Sequence, residues 1–398
     1  MDRVQAAAIG AVYRDYPVVA LVLQGGGALG SYQAGVYEGL AEAGVQPNWT
    51  AGISIGALNA ALIAGNPPER RVERLREFWE FICRQPWWPT LPAPEASVEL
   101  PDAIRGVVDS MEAARAILEG QNGFFVPRPW FGLASQHPSQ ASYYDTRPLR
   151  ATLERFADFD RINQAREMRV SVGAVNVRDG NFTYFDNTER ELRPEHFMAS
   201  GALPPGFPAV EVDGEFYWDG GLVSNTPLYY VLAKPPRRDA LIFQIDLWSA
   251  NGPVPRDLQQ VAVRQKDIQY SSRTRMVTDV LMEAQEYRRL LHELIALLPE
   301  SARSSEAYRQ AEPLACARRR NVIHLIYRDK PYESYHKDYQ FGMLTMNEHW
   351  ASGLTDIRAT LAHHDWLERP SADQPFVTHD LHRGRGDSER AAAAGAAS

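Results

Sequence analysis

The stretch VVALVLQGGGALG, Val18–Gly30, decides the fold. Its first six residues are apolar without interruption, a pattern that is typical of a strand covered on both faces in a parallel sheet. Three consecutive glycines follow, and from Ser31 to Ala43 apolar and small residues recur at helical spacing until Gly44 ends the pattern. The stretch therefore predicts a strand, a glycine-rich loop and a helix, the order that opens an α/β fold.

The next segment repeats this order. Trp49–Ile53 is predicted to be a strand and Ile55–Ala64 a helix. Further along, Asp179-Gly180 and Asp213-Gly214 indicate two hairpin turns. The other strands of the core are predicted at Met168–Val177, Asn181–Asp186, Ala209–Val212, Glu215–Trp218 and Leu241–Trp248. This order predicts an α/β fold with a mostly parallel central sheet and helices on both faces.

The predicted core ends near residue 250, because helical patterns dominate after it. A long helical stretch is predicted at Arg256–Leu298, a strand at Val322–Tyr327 and another helix at Asn347–Leu367. Before the core is complete, an amphipathic helix is predicted at Arg70–Cys83, and the Pro- and Trp-rich residues 85–101 are expected to be a surface excursion.

The composition places the chain among globular proteins. Of its 398 residues 44% are hydrophobic and 23% charged, which excludes the disordered, collagen-like and disulfide-scaffold classes. The net charge of −8 does not favour nucleic acid, or an anionic membrane held by charge alone. The two cysteines, Cys83 and Cys316, are too few for a disulfide framework or a thiolate zinc site, so we expect buried thiols in a reducing compartment.

The sequence offers no targeting or membrane-spanning pattern. Met1–Tyr16 lacks the basic, apolar and small-residue order of a secretion signal. Two uncharged stretches, residues 16–37 and 43–68, are interrupted by Gly, Asn and Pro, which favours buried strands and helices over transmembrane helices. We therefore expect a cytoplasmic protein.

The glycine loop Gly25–Gly30 matches GxGxxG between a strand and a helix, as a dinucleotide-binding fold requires. That interpretation also needs an acidic residue about twenty positions further on to hold the ribose. No acidic residue occurs between Glu42 and Glu69, so a nucleotide cofactor is disfavoured. The loop can still present backbone N–H groups to an anion at a helix N-terminus.

A second motif, Gly52-Ile53-Ser54-Ile55-Gly56, is a GxSxG at the predicted strand-to-helix junction. In a nucleophile elbow the flanking residues are small because the turn is sharp, and the serine hydroxyl stands above the sheet. The alternative is a serine that caps the helix between closely packed glycines.

A serine hydroxyl needs a base before it becomes a good nucleophile. A histidine would complete a Ser-His-Asp esterase, but no late histidine stands in a recognisable setting. The histidine candidates are His292, His324, His336, His349, His363 and His364. The other candidate is Asp219, which precedes Gly220 and Gly221 at the end of a predicted strand, although an Asp before two glycines is also a common turn residue.

In three blocks the chain resembles the patatin-like phospholipases, whose catalytic unit is a Ser-Asp dyad without histidine. The blocks are Gln24–Gly30 (QGGGALG), Gly52–Gly56 (GISIG) and Asp219–Gly221 (DGG), in the family's order. Ala199–Pro208 is similar to the family's usual approach to its aspartate, and Lys337–Asp356 looks like the tail of one bacterial branch.

The resemblance implies a three-layer patatin-like fold and the hydrolysis of carboxylic esters of lipids through an acyl-serine intermediate. It makes Ser54 the nucleophile and Asp219 the general base. It implies an oxyanion hole from the backbone N–H groups of Gly25, Gly26, Gly27, Ala28, Gly30 and Ile55. The glycines that support the motifs are Gly52, Gly56, Gly220 and Gly221. Leu29 departs from the family, because many members carry Arg or Lys there.

The predicted elements divide the chain into an N-terminal segment (1–17), a core that the resemblance makes the catalytic domain (18–250), a mainly helical extension (251–382) and an Arg/Gly- and Ala-rich tail that we expect to be disordered (383–398). We expect no metal or other cofactor, since the chain has no HExxH, EF-hand or P-loop pattern. The expected partner is a lipid ester, with peripheral contact to a lipid surface and no nucleic acid; the oligomeric state stays open.

Aromatic residues are candidates for an interfacial cap, with plain core packing as the alternative. They are Phe78, Trp79, Phe81, Trp87, Trp88, Phe124, Phe125, Trp130 and Phe131. Two functional alternatives also stay open at this point. One is a Ser-His-Asp esterase, and the other is a non-catalytic module that binds a nucleotide or lipid through the glycine loop.

Overall fold

The computed structural model describes residue 13 and residues 15–84, 101–129, 137–234, 238–271, 274–315 and 318–381. The α-helices in these ranges are α1 Ser31–Glu42, α2 Ile55–Ala64, α3 Arg71–Cys83, α4 Asp102–Glu119, α5 Arg147–Phe156, α6 Phe159–Ile162, α7 Pro194–Ser200, α8 Leu228–Ala233, α9 Leu258–Tyr270, α10 Thr274–Ala296, α11 Glu306–Ala311 and α12 Met343–Leu361. The strands are β1 Val18–Leu23, β2 Trp49–Ile53, β3 Val126–Pro127, β4 Tyr144–Asp145, β5 Arg169–Asn176, β6 Phe182–Asp186, β7 Val210–Val212, β8 Glu215–Asp219, β9 Ala240–Asp246, β10 Arg320–Ile326 and β11 Phe376–Asp380.

Nine of the described strands form one mixed sheet in the order β11-β10-β9-β1-β2-β5-β8-β7, and β6 also pairs with β5. All neighbours from β11 to β5 are parallel. The pairs β5–β6, β5–β8 and β7–β8 are antiparallel. The predicted α/β fold with a mostly parallel central sheet is confirmed.

Alternate residues of β1 face the two sides of the sheet. Leu21 and Leu23 pack into a large cluster with side chains of α1, α2, α3 and α12. Ala20 and Val22 pack into a smaller cluster on the other side, which includes side chains of α8 and α10. The uninterrupted apolar run of this strand is therefore explained by two covered faces, and the fold has three layers.

The two predicted hairpins are present. Gly180, between β5 and β6, has a φ of 71°. Asp213 and Gly214, between β7 and β8, have φ values of 51° and 85°. Two consecutive positive φ angles suit the right-handed twist of the flanking strands, which is why Asp-Gly stands at this turn.

The expected end of the core near residue 250 is wrong. β10 pairs in parallel with β9, and β11 pairs in parallel with β10, so that the sheet continues through the C-terminal part of the chain. Without β10, the outer edge of β9 would leave a row of backbone groups unpaired next to a buried layer. The strand predicted at Val322–Tyr327 is thus an inner strand of the sheet.

The helix α12 packs closely along α1 through glycines. A Cβ atom on Gly35 would lie 2.0 Å from the carbonyl oxygen of Trp350, and one on Gly353 would lie 2.1 Å from that of Tyr32. The Tyr32 hydroxyl also donates to Asp356 at 2.8 Å. The C-terminal helix therefore belongs to the same core as the glycine loop.

Other expectations differ in detail or lie elsewhere. The long helical stretch predicted at Arg256–Leu298 contains two helices, α9 and α10, and α12 ends at Leu361. Cys83 is buried, as predicted. Residues 85–100, Cys316 and the tail 383–398 lie outside the described residues. None of the helices among the described residues has the length and the apolar composition that a membrane span requires.

Candidate active site

The register of β5 places Ser54 and Asp219 side by side. Ile53, the last residue of β2, pairs with Gly173, and Asp219, the last residue of β8, pairs with Ala174. β6 occupies the other edge of β5 at these positions, so β2 and β8 share one edge and run toward each other. Their C-terminal ends meet, which brings the residue after β2 next to the carboxyl group that ends β8.

Ser54 is held in a strained turn between β2 and α2. Its φ of 54° and ψ of −124° are unusual for a residue with a side chain. Gly52 and Gly56 allow this turn, because a Cβ on Gly52 would lie 2.4 Å from the backbone of Gly56, and one on Gly56 would lie 2.3 Å from the Leu23 carbonyl oxygen. The GxSxG spacing thus has a steric cause in this structure.

Ser200 stabilises the turn that contains Ser54 through two hydrogen bonds. Its hydroxyl accepts a hydrogen bond from the Ser54 N–H at 2.9 Å and donates one to the Gly173 carbonyl oxygen at 2.6 Å. The side chain is fully buried at the end of α7. Ser200 therefore positions the backbone of Ser54. In the sequence, the one indication of this contact is that Ser200 lies in the segment Ala199–Pro208.

Asp219 is buried, with 3% of the residue exposed. Burial raises its pKa from 3.8 to about 7, against two hydrogen bonds that lower it, from the Gly221 N–H at 2.7 Å and from the Ser54 side chain. Gly220 permits the close approach of this turn to β5, since a Cβ there would lie 2.7 Å from the Gly173 carbonyl oxygen. A carboxyl group with this pKa can accept a proton near neutral pH.

Among the described residues, no histidine lines the cavity that contains Ser54. His324 pairs with Asp246 at 2.7 Å, and His349 pairs with Glu333 at 2.6 Å. Both pairs are buried, and none of their four side chains lines this cavity. Four further candidates also lie outside the cavity lining: His292, His336, His363 and His364.

In the glycine loop, Gly25 is held by hydrogen bonds, whereas the N–H groups of the next two glycines are free. The Gly25 N–H donates to the Asn225 carbonyl oxygen at 3.2 Å, and the Gly25 carbonyl oxygen accepts from Asn225 Nδ2 at 3.0 Å and Trp248 Nε1 at 2.9 Å. Within the described ranges, the N–H groups of Gly26 and Gly27 have no protein acceptor. These two groups are therefore free to bind an anionic oxygen, whereas that of Gly25 is occupied.

The other candidate donors fall into two groups. Ile55 lines the cavity together with Gly25, Gly26, Gly27 and Ser54. Ala28 and Gly30 are buried and are not part of the lining. The structure thus brings together only part of the predicted oxyanion set.

Gln24 connects the loop to three other segments. Its Oε1 atom accepts from the N–H groups of Leu247 and Trp248, at 2.6 and 2.9 Å. Its Nε2 atom donates to Thr226 Oγ1 at 2.9 Å and to the Tyr270 carbonyl oxygen at 3.2 Å. Because the side chain is fully buried, these bonds fix the loop relative to the ends of β9 and α9.

Ser54 and Asp219 lie in a cavity of about 360 Å³, a size typical of small-molecule sites. Much of its lining is apolar, from Leu58, Ile117, Phe124, Phe125, Phe207 and Phe341. A polar part of the lining consists of Lys266, Tyr270, Tyr335, Asp338 and Tyr339. No sequence motif indicated this polar part, whose residues lie after the predicted end of the core.

The aromatic residues proposed for a cap have different places. Phe124 and Phe125 line the cavity. Phe78 and Trp79 are fully buried in the core, and Phe81 packs against Phe156. Trp87, Trp88, Trp130 and Phe131 lie outside the described residues.

The described residues contain no group of three or more His, Cys, Asp or Glu side chains that could hold a metal ion. They do contain the Ser54 hydroxyl in a strained turn and the Asp219 carboxyl group, which is hydrogen-bonded to that hydroxyl. Two free N–H groups, those of Gly26 and Gly27, lie beside the same partly apolar cavity. Such a set can attack a carbonyl carbon, accept the hydroxyl proton and bind the negative oxygen that forms.

Two family models match the chain. One, described as patatin-like phospholipase, matches residues 21–232, and the other, described as patatin phospholipase, matches residues 268–373. The three sequence blocks and the whole of the glycine loop lie within the first match. No curated protein matches the chain.

Two of the similar solved structures are both distant from this chain in sequence. VipD from Legionella pneumophila is 13% identical with a TM-score of 0.37, and the match covers 87% of this chain and 67% of that one. Human GIVD cytosolic phospholipase A2 is also 13% identical with a TM-score of 0.37, and the match covers 92% of this chain and 63% of that one.

Proposed function

Because the chain belongs to the patatin-like phospholipase family, we propose that it is a lipid acyl hydrolase that cleaves carboxylic esters of lipids with a Ser-Asp dyad. The observation that carries this proposal is the meeting of Ser54 and Asp219 at the ends of β2 and β8, in one cavity with two free N–H groups. The large apolar share of that cavity supports a substrate with an acyl chain.

In the first proposed step the Ser54 hydroxyl oxygen bonds to the ester carbonyl carbon, and its proton passes to Asp219. The carbonyl oxygen becomes negative and accepts hydrogen bonds from the N–H groups of Gly26 and Gly27, with Ile55 as a further donor. One such preorganised donor is commonly worth about 3 kcal/mol of barrier. A carboxyl group with a pKa of about 7 is a stronger base than an exposed aspartate, so burial of Asp219 assists this step.

In the second step the bond between the carbonyl carbon and the leaving oxygen breaks. Asp219 returns its proton to that oxygen, so the alcohol leaves neutral and Ser54 remains acylated. Water then attacks the acyl-serine, its proton passes to Asp219, and the carboxylic acid leaves as Ser54 recovers the proton. We also propose that the protein contacts a lipid surface during this cycle.

The Ser-His-Asp alternative has less support, since no described histidine lines the cavity. The binding-module alternative uses the same glycine loop and predicts no covalent chemistry at Ser54. Labelling with a fluorophosphonate separates the binding module from the proposed hydrolase, because the probe reacts only with an activated serine.

We expect a fluorophosphonate to label the native protein at Ser54, identified by mass spectrometry of the modified peptide, and to block its hydrolysis of lipid esters. The protein unfolded in urea is the control and should not be labelled, because the turn that holds Ser54 beside Asp219 is then lost. A native protein that resists the probe and releases no fatty acid from a panel of phospholipids and neutral lipids would contradict the proposed function.

The pH dependence should follow the protonation of Asp219. Its burial raises the pKa to about 7, and only the deprotonated carboxylate can accept the Ser54 proton. We therefore expect kcat/KM for a soluble ester to fall about tenfold per pH unit below pH 7 and to level off above it. A flat profile between pH 5.5 and 8.5 would show that a group with this pKa does not limit the reaction.

A further inference from the structure

The polar part of the cavity lining comes from the C-terminal part of the chain. Lys266 and Tyr270 belong to α9, and Tyr335, Asp338 and Tyr339 lie in the segment before α12. None of these residues belongs to the segment, residues 21–232, that matches the patatin-like phospholipase model.

Tyr270 is fixed close to the proposed dyad through its backbone and its ring. Its carbonyl oxygen accepts from Asn225 Nδ2 at 2.8 Å and from Gln24 Nε2 at 3.2 Å, side chains that also hold the glycine loop. Its ring packs on Trp248 with centroids 5.4 Å apart. These contacts place the phenol in the same cavity as Ser54 and Asp219.

The Tyr270 hydroxyl remains available to a ligand. Within the described residues the hydroxyl has no hydrogen-bond partner, and the residue is partly buried. Burial, followed by the negative charges of Asp219 and Asp338, raises the pKa of the phenol to about 12. It therefore stays protonated at neutral pH and acts as a hydrogen-bond donor.

The positive charge on this part of the lining is already balanced. Lys266 Nζ donates to Asp338 Oδ1 at 2.5 Å and to the Tyr335 carbonyl oxygen at 3.2 Å. The ammonium group also lies 4.4 Å from the ring centroid of Tyr335 and 5.2 Å from that of Tyr339. The described lining therefore offers hydrogen bonds without a free cation, which suits an uncharged polar group.

The chemistry of the dyad indicates which half of the ester meets this lining. Asp219 must return its proton to the leaving oxygen, so the alcohol half of the ester lies on the side of Asp219. Tyr270 lies on this side of the cavity, because Asn225 donates to its carbonyl oxygen and Asn225 and Asp219 both approach Gly221, where a Cβ atom would lie 3.0 Å from Asn225 Oδ1 and 3.1 Å from Asp219 Oδ1. The acyl chain is then left to the apolar lining around Phe124 and Phe207.

We propose that Tyr270 is a specificity-determining residue whose phenol donates a hydrogen bond to the alcohol half of the bound ester. The enzyme should therefore prefer esters whose alcohol carries an uncharged hydroxyl close to the reacting bond, as in glycerol esters, over esters of plain alkyl alcohols. This inference rests on the proposed function, since it assumes that an ester occupies the cavity.

The test compares Tyr270→Phe with the native enzyme on glycerol monooctanoate and ethyl octanoate, both kept in monomeric solution. The two esters share an acyl chain and differ in the hydroxyls of the alcohol. We expect the variant to lose about tenfold in kcat/KM on the glycerol ester and less than twofold on the ethyl ester. Tyr229→Phe, which removes an exposed phenol from α8, is the matched control and should change neither value.

An equal loss on both esters would mean that Tyr270 only supports the structure, and no loss on either would mean that it does not contact the substrate. Both results overturn the inference while native turnover leaves the proposed function intact. Absence of hydrolysis and of fluorophosphonate labelling in the native protein would instead overturn the proposed function, and this inference with it.

Discussion

Replacing Asp219 by Asn is expected to lower kcat for lipid ester hydrolysis by about 10³- to 10⁴-fold while the fold survives. The amide cannot accept the Ser54 proton, and no described histidine lines the cavity to replace it as the base. The amide oxygen can still accept the hydrogen bond from the Gly221 N–H, which Asp219 accepts at 2.7 Å. Steady-state kinetics measure the loss, and circular dichroism with thermal unfolding verifies the fold.

Asp213→Asn is the matched control for this variant. Asp213 lies in the turn that precedes β8, where its φ of 51° is tolerated by Asn as well as by Asp. Among the described residues its carboxylate makes exposed ion pairs with Arg190 and Arg193, so its loss should leave the activity unchanged. Near-native hydrolysis by the Asp219 variant would remove Asp219 from the mechanism.

The fold between residues 18 and 64 could be predicted closely because its signals are local. The apolar run of β1 and the helical spacing of α1 lie in uninterrupted segments, and the predicted bounds of β1, β2 and α2 agree with the structure. The hairpins were predictable because Asp-Gly is favoured at tight turns in which the glycine has a positive φ. These features depend on residues close together in the sequence.

The strand order could not be predicted in the same way. β9 and β10 are neighbours in the sheet but are separated by α9, α10 and α11. A buried parallel strand shows an apolar run, but this run does not identify its partner. The expected end of the core near residue 250 failed for this reason, since the helical patterns between the two strands resembled an appended segment.

The same limit applies to the site. Ser54 and Asp219 could be proposed from motifs that each lie within five residues. Ser200 and Tyr270 lie in the site because of contacts over 146 and 45 residues in sequence, to Ser54 and Asn225. A lone serine or tyrosine in a helix carries no pattern that predicts such a contact.

The C-terminal part of the chain also closes over the glycine loop. Gly27 has a φ of 55°, and a Cβ atom there would lie 2.1 Å from the carbonyl oxygen of Asp338. Asp338 is held by Lys266 of α9, and the segment leads directly into α12. The position of the proposed oxyanion donors therefore depends on how α12 docks on α1.

The packing of α12 on α1 depends on the absence of a side chain at Gly35. Gly35→Ala is expected to lower the free energy of unfolding by about 3 kcal/mol, because the added methyl group would meet the Trp350 carbonyl oxygen at 2.0 Å and push α12 away from α1. A backbone carbonyl inside a helix cannot rotate aside, so the helices must separate. The loss should outweigh the gain of up to about 1 kcal/mol that alanine normally brings to a helix interior.

Gly106→Ala is the control, since Gly106 also lies inside a helix, α4, but a Cβ atom there would lie 3.6 Å from its nearest neighbour, the Tyr332 carbonyl oxygen. This variant should be as stable as the native protein or slightly more stable, so the two substitutions should have opposite signs in urea unfolding. Because α12 is linked to the segment over Gly27, Gly35→Ala should also slow ester hydrolysis under conditions where the protein remains folded. If both alanine variants gained stability, α12 would not pack on α1 as described. The C-terminal part of the chain would then not determine the position of the glycine loop.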